Sequence, residues 1–172
     1  MARPPSDEEF TQFVHGAWPA LYRTAYLLVG EPSLAEDLVQ TAMAKTYAAW
    51  PNVRDVGAAP GFARTTLVNT AASWFRKRSW RNEVPTQSVP EGHLDVDPSL
   101  RPTVLDALAQ LPPRQRAVVV LRYYDDYSVA EAARALSVSE GTVKSQTSKA
   151  LDTLRRLLGE AVVPMTSGAT HD

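Results

Sequence analysis

The chain has no cysteine among its 172 residues, which excludes disulfides and thiolate metal sites and fits a reducing compartment. Residence in the cytoplasm is therefore expected. Histidine is scarce as well: His15, His93 and His171 fall in a helix, a linker and a tail, with no spacing that would gather them on one metal. No metal and no cofactor is expected. Long apolar runs are missing, since "AYLLVG" and "AVVVL" are far shorter than the ~20 residues a membrane span needs. The N-terminal "MARPPSDEEF" is acidic and lacks the apolar core of a signal peptide, so neither export nor membrane insertion is expected. There is no phosphate-cradling glycine loop and no nucleophile elbow. Glu36 and Asp37 are neighbours on a helix, point about 100° apart and form no catalytic pair. The chain does not read as an enzyme.

Net charge is nearly absent too, at -1, but the average conceals a segregation. Residues 62 to 82 hold five cations (Arg64, Arg76, Lys77, Arg78, Arg81) and no acid, and residues 83 to 100 hold four acids (Glu83, Glu91, Asp95, Asp97) and no cation. The acidic piece carries Pro85, Pro90 and Pro98 without an apolar period, so 83–101 reads as a flexible acidic linker. Its nineteen residues have a relaxed span of about 25 Å. With 44% hydrophobic content, packed cores are available on both sides of it, in domains spanning 6–82 and 102–158; 159–172 reads as a disordered tail.

What the chain does contain is helical periodicity. Ser6 with Glu9 has the spacing of a capping box, followed by Phe10, Val14, Ala17, Leu21, Ala25 and Leu28 at helical intervals. Pro19 predicts a kink or break near Trp18. Gly30 and Pro32 are stop signals, and Ser33 with Glu36 reads as a second capping box, opening a helix that ends at Trp50. A loop from Pro51 to Gly61 leads into the next helix. Projected at 100° per residue, that helix puts Val68, Ala71, Ala72 and Phe75 on a core side and Thr66, Asn69, Thr70, Ser73, Lys77 and Trp80 on a polar side. Trp74, at the stripe's edge, is expected to pack.

Beyond the linker, "VLDALAQL" and "PPRQRAVVVLRYYDDY" read as helices, and Ser128 to Leu154 as a pair with a third capping box at Ser128 and Glu131 and an N-cap at Ser139. No strand signal competes. The expected fold class is all-α: two small helical bundles joined by a flexible linker, the C-terminal one containing a helix-turn-helix. Small Ala132 and Ala133 suit close helix approach, and Val143, Thr147, Ala150, Leu151 and Leu154 give the second helix an inward stripe. Lys144, Ser145, Ser148 and Lys149 face out, with Gln146 able to pair bidentately with adenine, a set suited to a major groove. Ser137 occupies the turn, where a left-handed residue bearing a side chain costs on the order of 1 kcal/mol.

Together, "GEPSLAEDLVQTAMAKTYAAW", "GFARTTLVNTAASWFRKRSWR" and "ALAQLPPRQRAVVVLRYYDDYSVAEAARALSVSEGTVKS" resemble the sigma-70 family of bacterial transcription initiation factors, in particular its two-domain extracytoplasmic-function (ECF) members with regions 2 and 4. The likeness runs from about Phe10 to Leu158. It implies a subunit that binds core RNA polymerase, at its clamp and flap, and directs it to promoter DNA. It further implies Asp37 and Gln40 as clamp contacts; the 51–61 loop as the pocket for a base flipped from the minus-ten element; and Asn69, Ser73, Arg76 and Lys77 as contacts to the non-template strand. Trp80 would offer a ring for base stacking, with Arg78 and Arg81 as phosphate cations. Lys144, Ser145, Gln146, Ser148 and Lys149 correspond to positions that read the minus-thirty-five element, and the "PPRQR" segment would approach the flap. Ser73 stands where many members carry Asp, and Gln146 where Arg is frequent, which changes donors and acceptors at base-reading positions. Family members are often held by an anti-sigma factor, so such a partner is implied. The contrasting readings are a stand-alone helix-turn-helix regulator, which needs specific duplex affinity of its own, and a protein-interaction module using the basic aromatic helix.

Overall fold

The computed structural model describes residues 3–80 and 103–159, with side chains through Lys77 in the first span. The expected linker at 83–101 and all but Gly159 of the expected tail lie outside the described residues. The described residues form seven α-helices and no strand: α1 (Asp7–Val29), α2 (Pro32–Ala49), α3 (Ala59–Trp80), α4 (Val104–Gln110), α5 (Pro113–Val119), α6 (Val129–Leu136) and α7 (Glu140–Leu158).

Local chemistry sets most of the helix ends. The Glu9 amide donates to Ser6 Oγ at 3.2 Å and the Ser6 amide to Glu9 Oε2 at 2.6 Å, closing the expected box. Gly30, at φ 74°, ends α1 by donating to the Tyr26 carbonyl at 2.8 Å. No break occurs at Pro19: α1 runs through it. Both Pro19 and His15 are exposed, so the His15 carbonyl that loses its amide partner is left to water rather than buried. The expected box at Ser33 and Glu36 is not formed either. Pro32 already has helical φ and starts α2 at its first position, which leaves Ser33 inside the first turn, donating to Glu31 Oε1 at 2.8 Å.

In the N-terminal half, α1 and α2 meet α3 through closely spaced small and aliphatic residues, among them Ala25, Leu28, Leu38, Ala42, Ala63, Leu67 and Ala71. Trp50, 2% exposed, closes the far end, where its indole donates to the Ser6 carbonyl at 3.0 Å and packs against the rings of Phe10 and Phe13. The polar side expected for α3 needs one correction: Thr70 is only 2% exposed. Its hydroxyl donates to the Thr66 carbonyl at 2.7 Å, a bond within its own helix that lets it be buried.

In the C-terminal half, α5 continues into one wider π turn at Val120–Tyr124 before the chain turns at Asp125. The helix-turn-helix follows as read. Ser128 and Glu131 box α6, Ser137 takes the left-handed conformation at φ 56°, and Ser139 caps α7 by accepting from the Thr142 amide at 3.0 Å. One core joins the two halves, because Ala117, Val118, Val120, Leu121, Ala132, Ala133 and Val143 belong to the same buried cluster as the α1–α3 residues. A smaller cluster of Leu108, Leu111, Val119, Leu151, Leu154 and Leu158 holds α4, α5 and α7 together.

Arg116 ties these parts. Its Nε donates to the Leu108 carbonyl at 2.9 Å, its Nη2 to those of Ala109 and Leu111 at 3.0 Å each, and its Nη1 to that of Leu28 at 3.5 Å. Arg116→Met is expected to orphan buried carbonyls and cost about 2–3 kcal/mol, read as a lower urea midpoint. Ser137→Gly relieves the left-handed strain and should raise stability by about 0.5–1 kcal/mol in the same assay.

Candidate nucleic-acid interface

The polar side of α3 arises from what its other side buries. Ala63, Leu67, Val68, Ala71 and Ala72 are inside, and Trp74 and Phe75 pack partly against the same core. Asn69, Arg76 and Lys77 are left exposed and Ser73 half-buried at their edge. Two helical turns thus offer an amide, a hydroxyl and two cations on one strip, a set suited to a single strand's phosphates and base edges. The side chains of Arg78 and Trp80, and Arg81 as a whole, lie outside what the structure describes. Arg64, upstream on α3, is engaged differently: its guanidinium lies 5.8 Å from the centre of the Tyr127 ring.

The second strip is on α7. Lys144, Ser145, Ser148 and Lys149 are exposed, as the inward burial of Val143, Ala150, Leu151 and Leu154 requires. Gln146 differs from its neighbours. It is half-buried and lines a narrow cleft with Ala72, Phe75 and Arg76 of α3, which brings one residue of each strip to the same place. On the other side of α7, Lys144, Ser148 and Arg155 meet Arg122 and Tyr123 around a pocket of about 220 Å³. Arg122 is held there by donating to the Tyr127 carbonyl at 2.6 Å, and Arg155 pairs with Asp152 at 3.1 Å. Sequence reasoning missed Arg122, Tyr123 and Arg155. Arg155 shares the helical stripe of Lys144, Ser148 and Leu151, so periodicity carried that signal; the other two arrive from a different helix.

Asp37 and Gln40 stand exposed on α2, opposite the buried Leu38, Val39 and Ala42. Gln40 Nε2 donates to Glu36 Oε1 at 3.4 Å, and the Asp37 carboxylate makes no ion pair among the described residues. No cluster of metal-ligating side chains occurs among those residues. Where the two halves meet, Thr24 Oγ1 of α1 donates to Asp125 Oδ1 at 3.3 Å, while Asp125 Oδ2 is buried without a partner.

The two strips lie on separate helices, one of them in a helix-turn-helix, and the side chains of both are chemically suited to nucleic acid. The family match is more specific: residues 15–81 match sigma-70 region 2 and residues 102–154 match sigma-70 region 4. The RNA polymerase sigma-E factor of Streptomyces coelicolor is 41% identical over 153 residues, covering 87% of this chain and 86% of that one. The ECF RNA polymerase sigma factor SigL of Mycobacterium tuberculosis is 35% identical, covering 81% and 83%. Among solved structures, the sigma factor RpoE in complex with the anti-sigma factor NepR from Bartonella quintana superposes with a TM-score of 0.61 at 27% identity, covering 88% of this chain and 97% of that one. The chain belongs to the sigma-70 family, as an ECF-type RNA polymerase sigma factor.

Burial raises the Asp125 carboxyl above its ordinary 3.8, against the opposing pull of Arg64 and the Thr24 hydroxyl. Protonation therefore favours the packed state. The stability gained is complete below the unfolded value and is lost as pH rises through the folded one. Comparing wild type with Asp125→Asn, the Tm of the wild type relative to the variant is expected to rise as pH falls from about 7 to about 4. A relative Tm that stays flat or falls across that range refutes the assignment.

Proposed function

We propose that this sigma factor reads its promoter through both strips. The α3 strip of Asn69, Ser73, Arg76 and Lys77, with Trp80, holds the separated minus-ten strand. The α7 strip of Lys144, Ser145, Gln146, Ser148 and Lys149 reads the minus-thirty-five duplex, with Arg122 and Arg155 beside it for backbone phosphates. Asp37 and Gln40 contact core RNA polymerase. The units are 6–82 for the first region, 83–101 as linker, 102–158 for the second and 159–172 as tail. The observation that carries this reading is the segregation of charge: in a chain of net charge -1, residues 62 to 82 hold five cations and no acid, and Arg76 and Lys77 on α3 and Lys144 and Lys149 on α7 are exposed.

Weak overall charge suits a subunit delivered to DNA by a large partner, because autonomous affinity depends on the number of phosphates neutralised. No described helix is long and apolar enough to cross a membrane. The proposed place of action is the cytoplasm, beside polymerase, with no chemistry of the chain's own. RpoE of Bartonella quintana was solved with an anti-sigma factor, and a partner of that kind is proposed here too.

The test is reconstitution with core RNA polymerase. The mixture should start transcription from a promoter that core alone ignores, and failure to bind core overturns the reading. Tight, specific duplex binding by the isolated chain would instead identify a stand-alone regulator. Arg76→Ala with Lys77→Ala should lower promoter opening about tenfold or more while core binding holds; collapse of core binding would remove this face from DNA.

A further inference from the structure

We propose that Lys45, on α2, is a further DNA-contacting residue, whose ammonium takes a backbone phosphate of the separated strand lying along α3. The idea rests on the α3 reading above, and it starts from an unusual lysine. Lys45 is exposed, yet its Nζ donates to Thr70 Oγ1 of α3 at 3.0 Å. Exposed lysines ordinarily swing free or meet a carboxylate one helical turn away. Neither applies here: the positions one turn away are Thr41, Ala42, Ala48 and Ala49, and no carboxylate pairs with Lys45 among the described residues.

Thr70 aims it. Because the Thr70 hydroxyl spends its proton on the Thr66 carbonyl at 2.7 Å, its oxygen is left as a directed acceptor for the ammonium. That bond uses one of three N–H donors and leaves two for a ligand. The ammonium is held next to the α3 strip, since Thr70 adjoins Asn69 and lies one turn before Ser73. Lys77 follows seven residues after Thr70, about 10 Å along the helix axis, the rise of roughly three stacked nucleotides. Lys45 and Lys77 thus place two cations on one track, with Ser73 between them and Asn69 beside the first. On α2, Lys45 is rotated about 140° from Gln40 and about 80° from Asp37, on a different edge from the proposed polymerase contacts. Thr70 is a positioning residue; it touches no DNA itself.

A purely structural tie between α2 and α3 predicts something different, so the variants are chosen to separate the two. Lys45→Met keeps the apolar stem and removes the charge, Lys45→Arg restores it, and Thr70→Val removes only the aim. Each is assembled with core polymerase and titrated, across a range of salt, onto a promoter whose minus-ten segment is held open as a mismatched bubble. Lys45→Met is expected to weaken binding about five- to tenfold and to flatten the plot of log affinity against log salt by about 0.7, the slope of one phosphate contact on a single strand. Lys45→Arg should restore the slope, and Thr70→Val should weaken binding with the slope kept. Core binding and Tm should stay at the wild-type values for Lys45→Met. An unchanged slope in Lys45→Met, or a loss that tracks Tm and is not rescued by Arg, overturns the proposal. The Arg76→Ala, Lys77→Ala holoenzyme, run beside it, tells the two failures apart. If that variant also keeps the wild-type slope, the strand does not follow α3 and the function reading fails; if it alone loses slope, only Lys45 is wrong.

Discussion

Arg116 is a guanidinium set among carbonyls with no carboxylate paired to it among the described residues, and the arrangement of both halves runs through it. The carbonyls at the end of a helix carry partial negative charge, and a cation there satisfies them without an anion. Arg116 gathers the end of α4, the turn into α5 and the Leu28 carbonyl near the end of α1 on one group. Gly30 completes the fit: it needs a positive φ to end α1, and a Cβ on it would lie 3.1 Å from Arg116 Nη1. Turning the chain at Gly30 and docking α5 beside it are thus one requirement.

That docking has a consequence for the DNA strips. With α5 and α6 held against α1 and α3, Gln146 of α7 and Arg76 of α3 line the same cleft. Under the proposed roles, a duplex on α7 and a strand on α3 would compete for the space around these two side chains. Arg64 faces the same geometry from the other side, since its place over the Tyr127 ring uses a cation of the basic segment to join the halves. The five cations of residues 62–82 are thus not equivalent, although composition alone treats them so.

Features governed by neighbours in sequence were legible before the structure. The boxes at Ser6 and Ser128, the cap at Ser139 and the left-handed Ser137 each depend on a few consecutive residues. The inward stripe of α7 was legible for the same reason, because it repeats on one helix. Thr103 and Asp106 form a further box that the sequence reading missed, since Asp there replaces the usual Glu or Gln. Misreadings came where a local competitor was overlooked or where a second element intervenes. Pro32 displaced the expected cap at Ser33; Thr70 looked polar and outward but satisfies its hydroxyl within α3 and so can be buried; Gln146 looked outward until α3 covered part of it. Arg122 and Tyr123 join Lys144 only because the π turn is packed against α7, which no single-helix projection contains.

Two of the hydrogen bonds between the halves are long. Thr24 to Asp125 at 3.3 Å and Arg116 to Leu28 at 3.5 Å lie at or beyond the outer edge of good hydrogen-bond geometry. Within the halves the ties are shorter and more numerous: Trp50 to Ser6 at 3.0 Å, three Arg116 bonds at 2.9 to 3.0 Å, and the capping boxes. A net hydrogen bond contributes about 1 kcal/mol, and a stretched one less. Asp125 subtracts from its own tie, because its buried Oδ2 has no partner and its charged form is disfavoured there. Apolar contact therefore carries most of the join, through Leu121 together with alanines and valines whose individual burial is small beside that of Trp50, Leu28 or Leu38 within the N-terminal half. The balance favours each half outlasting the contact between them, so that a large partner binding both has the weaker set of interactions to displace.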